Sequence, residues 1–345
     1  MRAPFKIGGK EIPAGKRRVV DLPISMMSDH TPATLSVKVI HGRRPGPTVF
    51  VSAAIHGDEI NGVEIIRRLA MSSRLKTIAG TLILVPIVNS FGFIGHSRYL
   101  PDRRDLNRSF PGAARGSLAG RLAHLFMTEV VERSQYGIDL HTAAVHRTNL
   151  PQIRIDKRDP RAEELAKAFN PPVVLNSPLR EGSLRHAAGE KGVPVMVFEA
   201  GEGLRFSELS IRVGVRGVLN VLRHLKMIPA EKKSRTAPPA AFSTRSSWVR
   251  AEEGGILAIH GKLGQIVDKG ALLGMVSDPF GERETDIRAS RAGLIVGHAV
   301  LPVVNQGDAL FHIAEVARPK AAAQAVERIS EDFDADPMYD EDEIL

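Results

Sequence analysis

Short apolar runs alternate with amphipathic segments through residues 45–225, and this alternation is the strongest constraint on the fold. Thr48–Ile55 and Thr81–Val88 are almost wholly apolar, which is typical of strands buried on both faces of a sheet. Gly62–Leu69 and Ser117–Arg133 instead place their apolar residues on one side of a helix. Strands and helices in alternation predict an α/β domain with three layers and a mostly parallel mixed sheet at its centre.

The alternation continues with shorter elements, and an N-terminal arm precedes it. Ala33–Ile40 alternates apolar and polar residues, which predicts a half-buried strand within the arm of residues 1–45. Asp159 stands where it can cap a helix whose first residue is Pro160. The other predicted elements are the strands Ile138–Leu140, Val173–Leu175 and Val193–Glu199 and the helices Asp159–Phe169, Gly182–Lys191 and Phe206–Leu225. Residues 1–230 are therefore predicted to form one α/β domain.

The chain changes character after residue 230. Glu231–Ser247 is rich in Lys, Ser, Thr and Pro, which predicts a linker. Residues 248–318 contain a weak repeat, GGILAIHGKLGQIVDKGALLG followed by AGLIVGHAVLPVVNQGDALFH, and resemble the all-β barrel-sandwich fold of lipoyl and biotinyl domains. No lysine lies between Lys269 and Lys320, where a carrier domain would need one. We therefore expect a structural β-domain, or one that shapes a pocket or an oligomer contact.

Composition excludes several classes of function. The chain has 345 residues, no cysteine and a formal net charge of +8. The missing cysteines exclude disulfides, thiolate zinc fingers, iron–sulfur clusters and a cysteine nucleophile. The basic residues are dispersed and aromatic residues are few, which argues against a nucleic-acid surface. No apolar stretch is long enough for a transmembrane helix and no signal peptide is recognisable, so the expected location is the cytoplasm.

The charge is distributed unevenly along the chain. Residues 319–345 carry nine acidic and two basic residues, a net charge of −7 that leaves +15 on the remainder. This acidic tail is predicted to be disordered. The positive remainder favours an acidic substrate or partner, and the sequence leaves a homo-oligomer open.

Two histidine-containing motifs follow predicted strands, at the edge of the sheet where α/β proteins form their ligand sites. His56 and Glu59 of HGDE come directly after Thr48–Ile55, and His141 of DLHT follows Ile138–Leu140. Two imidazoles and a carboxylate, with a fourth position open, are a ligand set of catalytic zinc sites. Taken singly, each motif also fits a helix-capping loop or a hydrogen-bonded histidine at a strand end.

A glutamate and an arginine-rich segment complete the candidate site. Glu199 ends the apolar run VPVMVFE, where partial burial should raise its affinity for a proton and suit it to general base or acid chemistry beside a metal-bound water. The alternative for Glu199 is an ion pair with a nearby arginine. Arg98–Phe110 holds four arginines without helical spacing, which favours carboxylate recognition over a helical face. A surface ion-pair loop is the alternative for this segment.

Together these motifs resemble the succinylglutamate desuccinylase/aspartoacylase family, which is part of the zinc-carboxypeptidase superfamily. The matching segments are HGDE, RDLNRSFPG, DLHT and the glutamate of FEAG, in this order within residues 45–225. The resemblance implies a zinc-carboxypeptidase-like domain with one Zn²⁺ per chain. It implies His56, Glu59 and His141 as the metal ligands and Glu199 as the catalytic base and acid.

The same resemblance assigns roles to residues of the arginine-rich segment. It implies that Arg98 polarises the scissile carbonyl and that Asn107 and Arg108 hold a carboxylate of the substrate. It also implies that Asp105 orients a zinc-bound histidine. Three arginines outside these motifs are candidates for a second anionic contact: Arg154, Arg180 and Arg185.

The implied activity is zinc-dependent hydrolysis of the amide bond of an N-acyl amino acid or a related small amide that carries a carboxylate. Two alternatives stay open. A zinc carboxypeptidase or amidase that acts on a peptide or a poly-glutamate chain would have a nearly identical site. A metal-containing binding protein without catalytic activity would use the basic surface to hold an acidic partner. The expected partner is thus a small-molecule carboxylate, with no nucleic acid and no membrane involved.

Overall fold

A computed structural model describes residues 2–230 and 239–317, together with the single residues 319, 323, 324, 327 and 328. The first half of the predicted linker and nearly all of the predicted acidic tail lie outside the described residues. Within the part of the chain that is described, no helix is long and apolar enough to cross a membrane.

The described helices match most of the predicted ones. They are α1 (Asn61–Met71), α2 (Ser90–Ile94), α3 (Leu118–Phe126), α4 (Pro160–Phe169), α5 (Leu184–Glu190) and α6 (Glu208–His224). Asp159 caps α4, where its side chain accepts a hydrogen bond from the backbone of Arg161, so α4 begins at Pro160 as predicted. The helix predicted over Ser117–Arg133 is shorter, because α3 ends at Phe126 and gives way to a π-helical turn over Met127–Val131. Helix α2 was not predicted.

The strands fall into three groups along the chain. The N-terminal strands are β1 (Phe5–Ile7), β2 (Lys10–Ile12), β3 (Lys16–Met26), β4 (Pro32–His41), β5 (Arg44–Ala53) and β6 (Ala79–Val85). The middle strands are β7 (Tyr136–His141), β8 (Arg147–Ile155), β9 (Val173–Asn176) and β10 (Val195–Gly201). The C-terminal strands are β11 (Ala241–Arg250), β12 (Gly255–Ile259), β13 (Ile266–Val267), β14 (Leu272–Ser277), β15 (Glu284–Arg288), β16 (Gly293–Ala299), β17 (Val303–Val304) and β18 (Ala309–Val316).

Twelve of these strands form one mixed sheet, in the order β13-β16-β18-β11-β9-β8-β10-β7-β5-β6-β4-β3. Parallel pairing is confined to β6-β5-β7-β10 and to β8-β9-β11, and the other pairs are antiparallel. The prediction of a mixed sheet is therefore confirmed, but the prediction that it is mostly parallel is wrong outside these two groups. The antiparallel pairs come from three places: the N-terminal strands β3 and β4, the pairing of β8 with β10 and β16, and the C-terminal strands.

Helices cover both faces of the parallel part of the sheet. Helices α1, α4 and α6 pack with Val49 and Val51 of β5 in one apolar cluster. Helices α3 and α5 pack with Phe50 in another. Since successive residues of a strand point to opposite faces, both faces of β5 must be apolar, which explains the uninterrupted run seen in the sequence.

The C-terminal strands extend the central sheet. Strand β11 begins at Ala241, so residues 241–247 belong to the sheet and the linker prediction is wrong there. β11 pairs in parallel with β9 and antiparallel with β18. A separate sheet of β12, β14, β15 and β17 packs on these strands through one apolar cluster, which includes Leu257 and Phe311. We refer to β11–β18 as the C-terminal module.

Candidate metal centre and active site

Three neighbouring parallel strands bring the candidate residues to one edge of the sheet. β5, β7 and β10 lie side by side in the order β10-β7-β5. His141 is the last residue of β7, and it is in register with Glu199 of β10. His56 and Glu59 follow the end of β5, after Ala54, whose φ of 51° turns the chain out of the strand. A left-handed backbone at a residue other than glycine is uncommon and is often found at active sites.

His56, Glu59 and His141 form a buried cluster that can hold one metal ion. One potential ligand atom from each residue lies within 4.8 Å of those of the other two. The Glu59 carboxylate lies between the two rings, with Oε1 2.7 Å from Nδ1 of His56 and Oε2 2.6 Å from Nδ1 of His141. Two imidazole nitrogens and one carboxylate suit Zn²⁺ at a site that keeps a further position for water or substrate. The donor set therefore fits the ion that the sequence motifs imply.

Each histidine is held from its outer side by a second carboxylate. Asp105 Oδ1 lies 3.1 Å from Nε2 of His56, and Asp139 Oδ2 lies 2.7 Å from Nε2 of His141. Ser52 donates a hydrogen bond of 2.8 Å to the other oxygen of Asp139. These contacts orient both Nδ1 atoms towards the cluster, as partners of metal-bound histidines do.

The sequence analysis missed Asp139, although it stands in the quoted DLHT motif. The available signal was its position two residues before His141 on the same strand, which puts both side chains on one face of the sheet. Asp105, which the family resemblance implied as the residue that orients a zinc-bound histidine, lies 3.1 Å from Nε2 of His56.

The cluster is strongly coupled electrostatically. Burial raises the pKa of Glu59, but the positive charges of His56 and His141 outweigh burial and hold that pKa well below its usual range. Burial lowers the pKa of His141, but the charges of Asp139 and Glu59 raise it well above its ordinary value. The site thus places carboxylates around two imidazoles, an arrangement that suits a bound cation.

Arg98 lies directly beside this cluster. Its guanidinium bonds Asp105 Oδ2 at 2.9 Å, and Nη1 lies 3.5 Å from Glu59 Oε1. Burial lowers the pKa of Arg98, but the charges of Asp105 and Glu59 raise it above its ordinary value. A fixed positive charge next to the buried cluster is suited to stabilising an oxygen on which negative charge develops.

Glu199 has a partner on each of its carboxylate oxygens. Asn149 Nδ2 donates to Oε2 at 2.8 Å, and Arg154 Nη1 lies 3.0 Å from Oε1. The ion pair that the sequence left open for Glu199 is therefore present in the structure. Both partners come from β8, a strand that the sequence analysis did not predict. The carboxylate is partly buried, with 15% of the side chain exposed.

Asn107 and Arg108 lie on a turn that Asp105 connects to the cluster. The Asp105 side chain caps the short 3₁₀ turn Leu106–Arg108 by accepting a hydrogen bond of 2.8 Å from the backbone of Asn107. Asn107 Oδ1 accepts a hydrogen bond of 2.9 Å from the backbone N–H of Leu184, which leaves its Nδ2 donor to face elsewhere. Arg108 is exposed. One carboxylate thus sets the position of both His56 and this turn.

Two of the three additional arginines lie close to Glu199. Arg154 contacts it directly, whereas Arg185 is mostly buried near both Arg154 and Glu199. Burial, followed by the charge of Arg154, lowers the pKa of Arg185 to about 10. Arg180 is exposed. The surroundings of Glu199 therefore carry an excess of positive charge.

Gly57 of HGDE packs against the backbone of α2 so closely that no side chain fits. A Cβ there would lie 1.9 Å from the carbonyl carbon of Gly92. Gly57→Ala is expected to displace His56 and Glu59, to lower the free energy of unfolding by about 1–3 kcal/mol and to reduce bound metal. Denaturant unfolding and elemental analysis measure these effects. Gly95→Ala, with its nearest neighbour at 3.4 Å, is the control. Stability and metal content equal to those of the wild type would contradict the role given to Gly57.

The model of the succinylglutamate desuccinylase/aspartoacylase catalytic domain matches residues 45–225. This range holds all three residues of the buried cluster, both outer carboxylates and Glu199. It begins within β5 and ends one residue after α6, so it comprises nearly all of β5, the strands β6–β10 and all six helices described above. It leaves out the C-terminal module.

Three similar proteins cover nearly the whole chain. The N-alpha-acetyl-L-2,4-diaminobutyric acid deacetylase of Halomonas elongata is 29% identical over 307 residues, which are 86% of this chain and 90% of the relative. The product-bound structure of the ectoine utilization protein EutE (DoeB) from Ruegeria pomeroyi has a TM-score of 0.78 and 27% identity, and covers 91% of this chain and 100% of that chain. The structure of a succinylglutamate desuccinylase from Silicibacter sp. TM1040 has a TM-score of 0.78 and 26% identity. It covers 88% of this chain and 97% of that chain.

Proposed function

Because the chain belongs to the succinylglutamate desuccinylase/aspartoacylase family, we propose that it is a zinc-dependent hydrolase of the amide bond in N-acyl amino acids. The buried cluster of His56, Glu59 and His141 beside Glu199 is the observation that carries this proposal. The proposal includes a zinc-carboxypeptidase-like layering of residues 1–230. It also includes a barrel-sandwich fold for the C-terminal module, whose first strand begins at Ala241.

His56 and His141 would hold the ion through Nδ1, and Glu59 would hold it through its carboxylate. When bound, Zn²⁺ supplies Lewis acidity, which polarises a carbonyl oxygen and lowers the pKa of a water to about 7. The partners of the two histidines, Asp105 and Asp139, keep each ring in the orientation that presents Nδ1.

Glu199 is the proposed proton carrier. Its carboxylate accepts a proton from the attacking water and then donates that proton to the nitrogen of the leaving amine. Arg98, held by Asp105 beside the cluster, stabilises the negative charge that develops on the carbonyl oxygen. The products are a free amino acid and a small carboxylic acid.

Substrate binding is assigned to the turn that carries Asn107 and Arg108. The Asn107 amide, fixed through Oδ1 by the backbone of Leu184, offers Nδ2 to a carboxylate, and the exposed guanidinium of Arg108 offers a bidentate contact. Arg154 and Arg185 supply further positive charge around Glu199. This distribution favours a substrate with at least one carboxylate in addition to the amide.

A substrate panel tests the proposed function. The zinc-loaded protein is given three N-acyl amino acids: N-acetyl-2,4-diaminobutyrate, N-succinylglutamate and N-acyl aspartate. It is also given short peptides, as carboxypeptidase substrates, and short poly-glutamate chains. Release of free amine from one of the N-acyl amino acids, with much slower cleavage of peptides, is the expected result. Preferential cleavage of peptides or poly-glutamate would show the carboxypeptidase alternative to be correct. Bound zinc without hydrolysis of any compound would support the non-catalytic alternative.

Arg108→Ala is expected to lower kcat/KM for the best carboxylate-bearing substrate by about 10–100-fold, because a hydrogen bond to a charged group contributes about 1.5–3 kcal/mol. The loss should lie mainly in KM. Steady-state kinetics on an N-acyl amino acid and on its carboxamide analogue provide the measurement, since the carboxamide lacks the charge that Arg108 binds. Arg115→Ala, at another exposed arginine, is the control. An equal loss on both compounds would argue against the assigned carboxylate contact.

A further inference from the structure

The C-terminal module and two strands of the catalytic domain close into a ring. β8 pairs with β9, β9 with β11, β11 with β18 and β18 with β16. The ring closes because β16 also pairs with β8, where Gly297 is in register with Asn149. The module is therefore hydrogen-bonded to the strand that supplies both partners of Glu199. A change in the module can reach the active site through this junction.

The two β8 side chains restrict the Glu199 carboxylate from both sides. Asn149, only 4% exposed, donates to Oε2, and Arg154 contacts Oε1. A glutamate with one partner on each oxygen loses most of its freedom to rotate about its side-chain bonds. Proton transfer to and from a reacting group requires such a defined position.

Gly297 of β16 leaves the space that the Asn149 side chain occupies. A Cβ at residue 297 would lie 2.7 Å from Asn149 Oδ1 and 3.2 Å from the backbone oxygen of Thr148. His312 of β18 lies on the other side of Gly297 in the ring, with its Cβ 3.5 Å from the same point. Any side chain at residue 297 would therefore push the Asn149 amide away from its present place.

We propose that Asn149 and Arg154 are positioning residues for Glu199, and that Gly297 of the C-terminal module sets the place of Asn149. The module thereby contributes to turnover without touching the substrate. This inference rests on the proposed role of Glu199 as the proton carrier. It gives the pairing of β16 with β8 a role in catalysis. Strand β16 lies outside residues 45–225, the range that the family model matches.

The test is a double-mutant cycle on the zinc-loaded full chain. Gly297→Ala and Asn149→Ala are each expected to lower kcat by about 10–100-fold, since misplacing a reacting group by about 1 Å costs up to 10²-fold. KM and zinc content should stay within twofold of the wild type. In the Asn149→Ala background, Gly297→Ala should have no further effect on kcat, because the atom it displaces is gone. Gly189→Ala, whose nearest neighbour would be at 4.0 Å, is the control.

Two results would overturn the inference. One is a double variant whose loss of kcat is the product of the two single losses. The other is a wild-type kcat in either single variant. Crystal structures of the wild type and Gly297→Ala give a second readout that needs no substrate. The distance from Asn149 Nδ2 to Glu199 Oε2, 2.8 Å here, should exceed hydrogen-bonding range in the variant. An unchanged distance would also overturn it.

Asn149→Ser, which keeps a hydrogen-bond donor in a smaller side chain, covers the case in which Asn149→Ala does not fold. Combined with Gly297→Ala, it should recover part of the lost turnover, and a double variant no faster than Gly297→Ala would count against the inference. Failure of the proposed function looks different. If Glu199→Gln kept full activity, the role of Glu199 itself would be wrong. If Glu199→Gln were inactive while both single variants kept wild-type kcat, only the positioning inference would fail.

Discussion

Glu199→Gln is expected to lower kcat by about 10²–10⁴-fold, the range that positioned acid–base groups contribute. Glutamine has nearly the same shape and can still accept a hydrogen bond from Asn149, but it cannot take a proton from water at neutral pH. The three proposed metal ligands are untouched, so one zinc per chain should remain. The measurement combines kcat on the best N-acyl amino acid with elemental analysis of the same sample.

Glu190→Gln, at an exposed glutamate at the end of α5, is the matched control for this change. It should leave both kcat and zinc content at wild-type values. If Glu199→Gln retained its zinc and turned over at an undiminished rate, another group would have to move the proton. If it lost the zinc, Glu199 would instead belong to the metal site.

His141→Ala is expected to abolish both metal binding and hydrolysis. The change removes one of the three proposed ligands. It also leaves the carboxylates of Glu59 and Asp139 buried, with 3% and 1% of their side chains exposed and without the imidazole between them. Breaking a buried ion pair in this way typically costs about 3–5 kcal/mol. Elemental analysis, activity and denaturant unfolding measure the three effects, and the unfolding comparison uses chelator-treated wild type.

His124→Ala on α3, which also replaces a histidine by alanine, is the control for the general effect of that substitution. It should retain zinc and turnover. His141→Gln keeps more side-chain volume and separates the loss of a ligand from the opening of a cavity. A His141→Ala protein that held a full complement of zinc and remained active would exclude His141 from the metal site.

Among the strands that the sequence predicted correctly, three are buried on both sides. β5, β6 and β10 lie between helical layers and leave runs of apolar residues that are easy to recognise. β8 escaped prediction because Asn149, Gln152 and Arg154 interrupt its apolar pattern. Asn149 and Arg154 contact Glu199. The polar residues that interrupt the apolar pattern of β8 therefore include the two that hold the Glu199 carboxylate.

The residues of the buried cluster come from two short motifs. His56 and Glu59 belong to one turn, and His141 ends one strand, so each motif could be recognised in the linear sequence. Asp139, which contacts His141 from the same motif, was nevertheless missed. The partners of Glu199 were not predictable, because they depend on the register between β8 and β10. The linker prediction failed over residues 241–247 for a related reason: small and polar residues there pair with distant strands.

Anomalous diffraction at the zinc edge, from crystals of the wild-type protein grown with ZnCl₂, tests the central claim most directly. We predict one strong peak within about 2.0–2.2 Å of Nδ1 of His56, Nδ1 of His141 and a carboxylate oxygen of Glu59, the distances that zinc makes to such ligands. The peak should be absent from crystals of His141→Ala grown in the same way. A wild-type crystal without a peak between these three residues, or with its zinc bound elsewhere, would contradict the account.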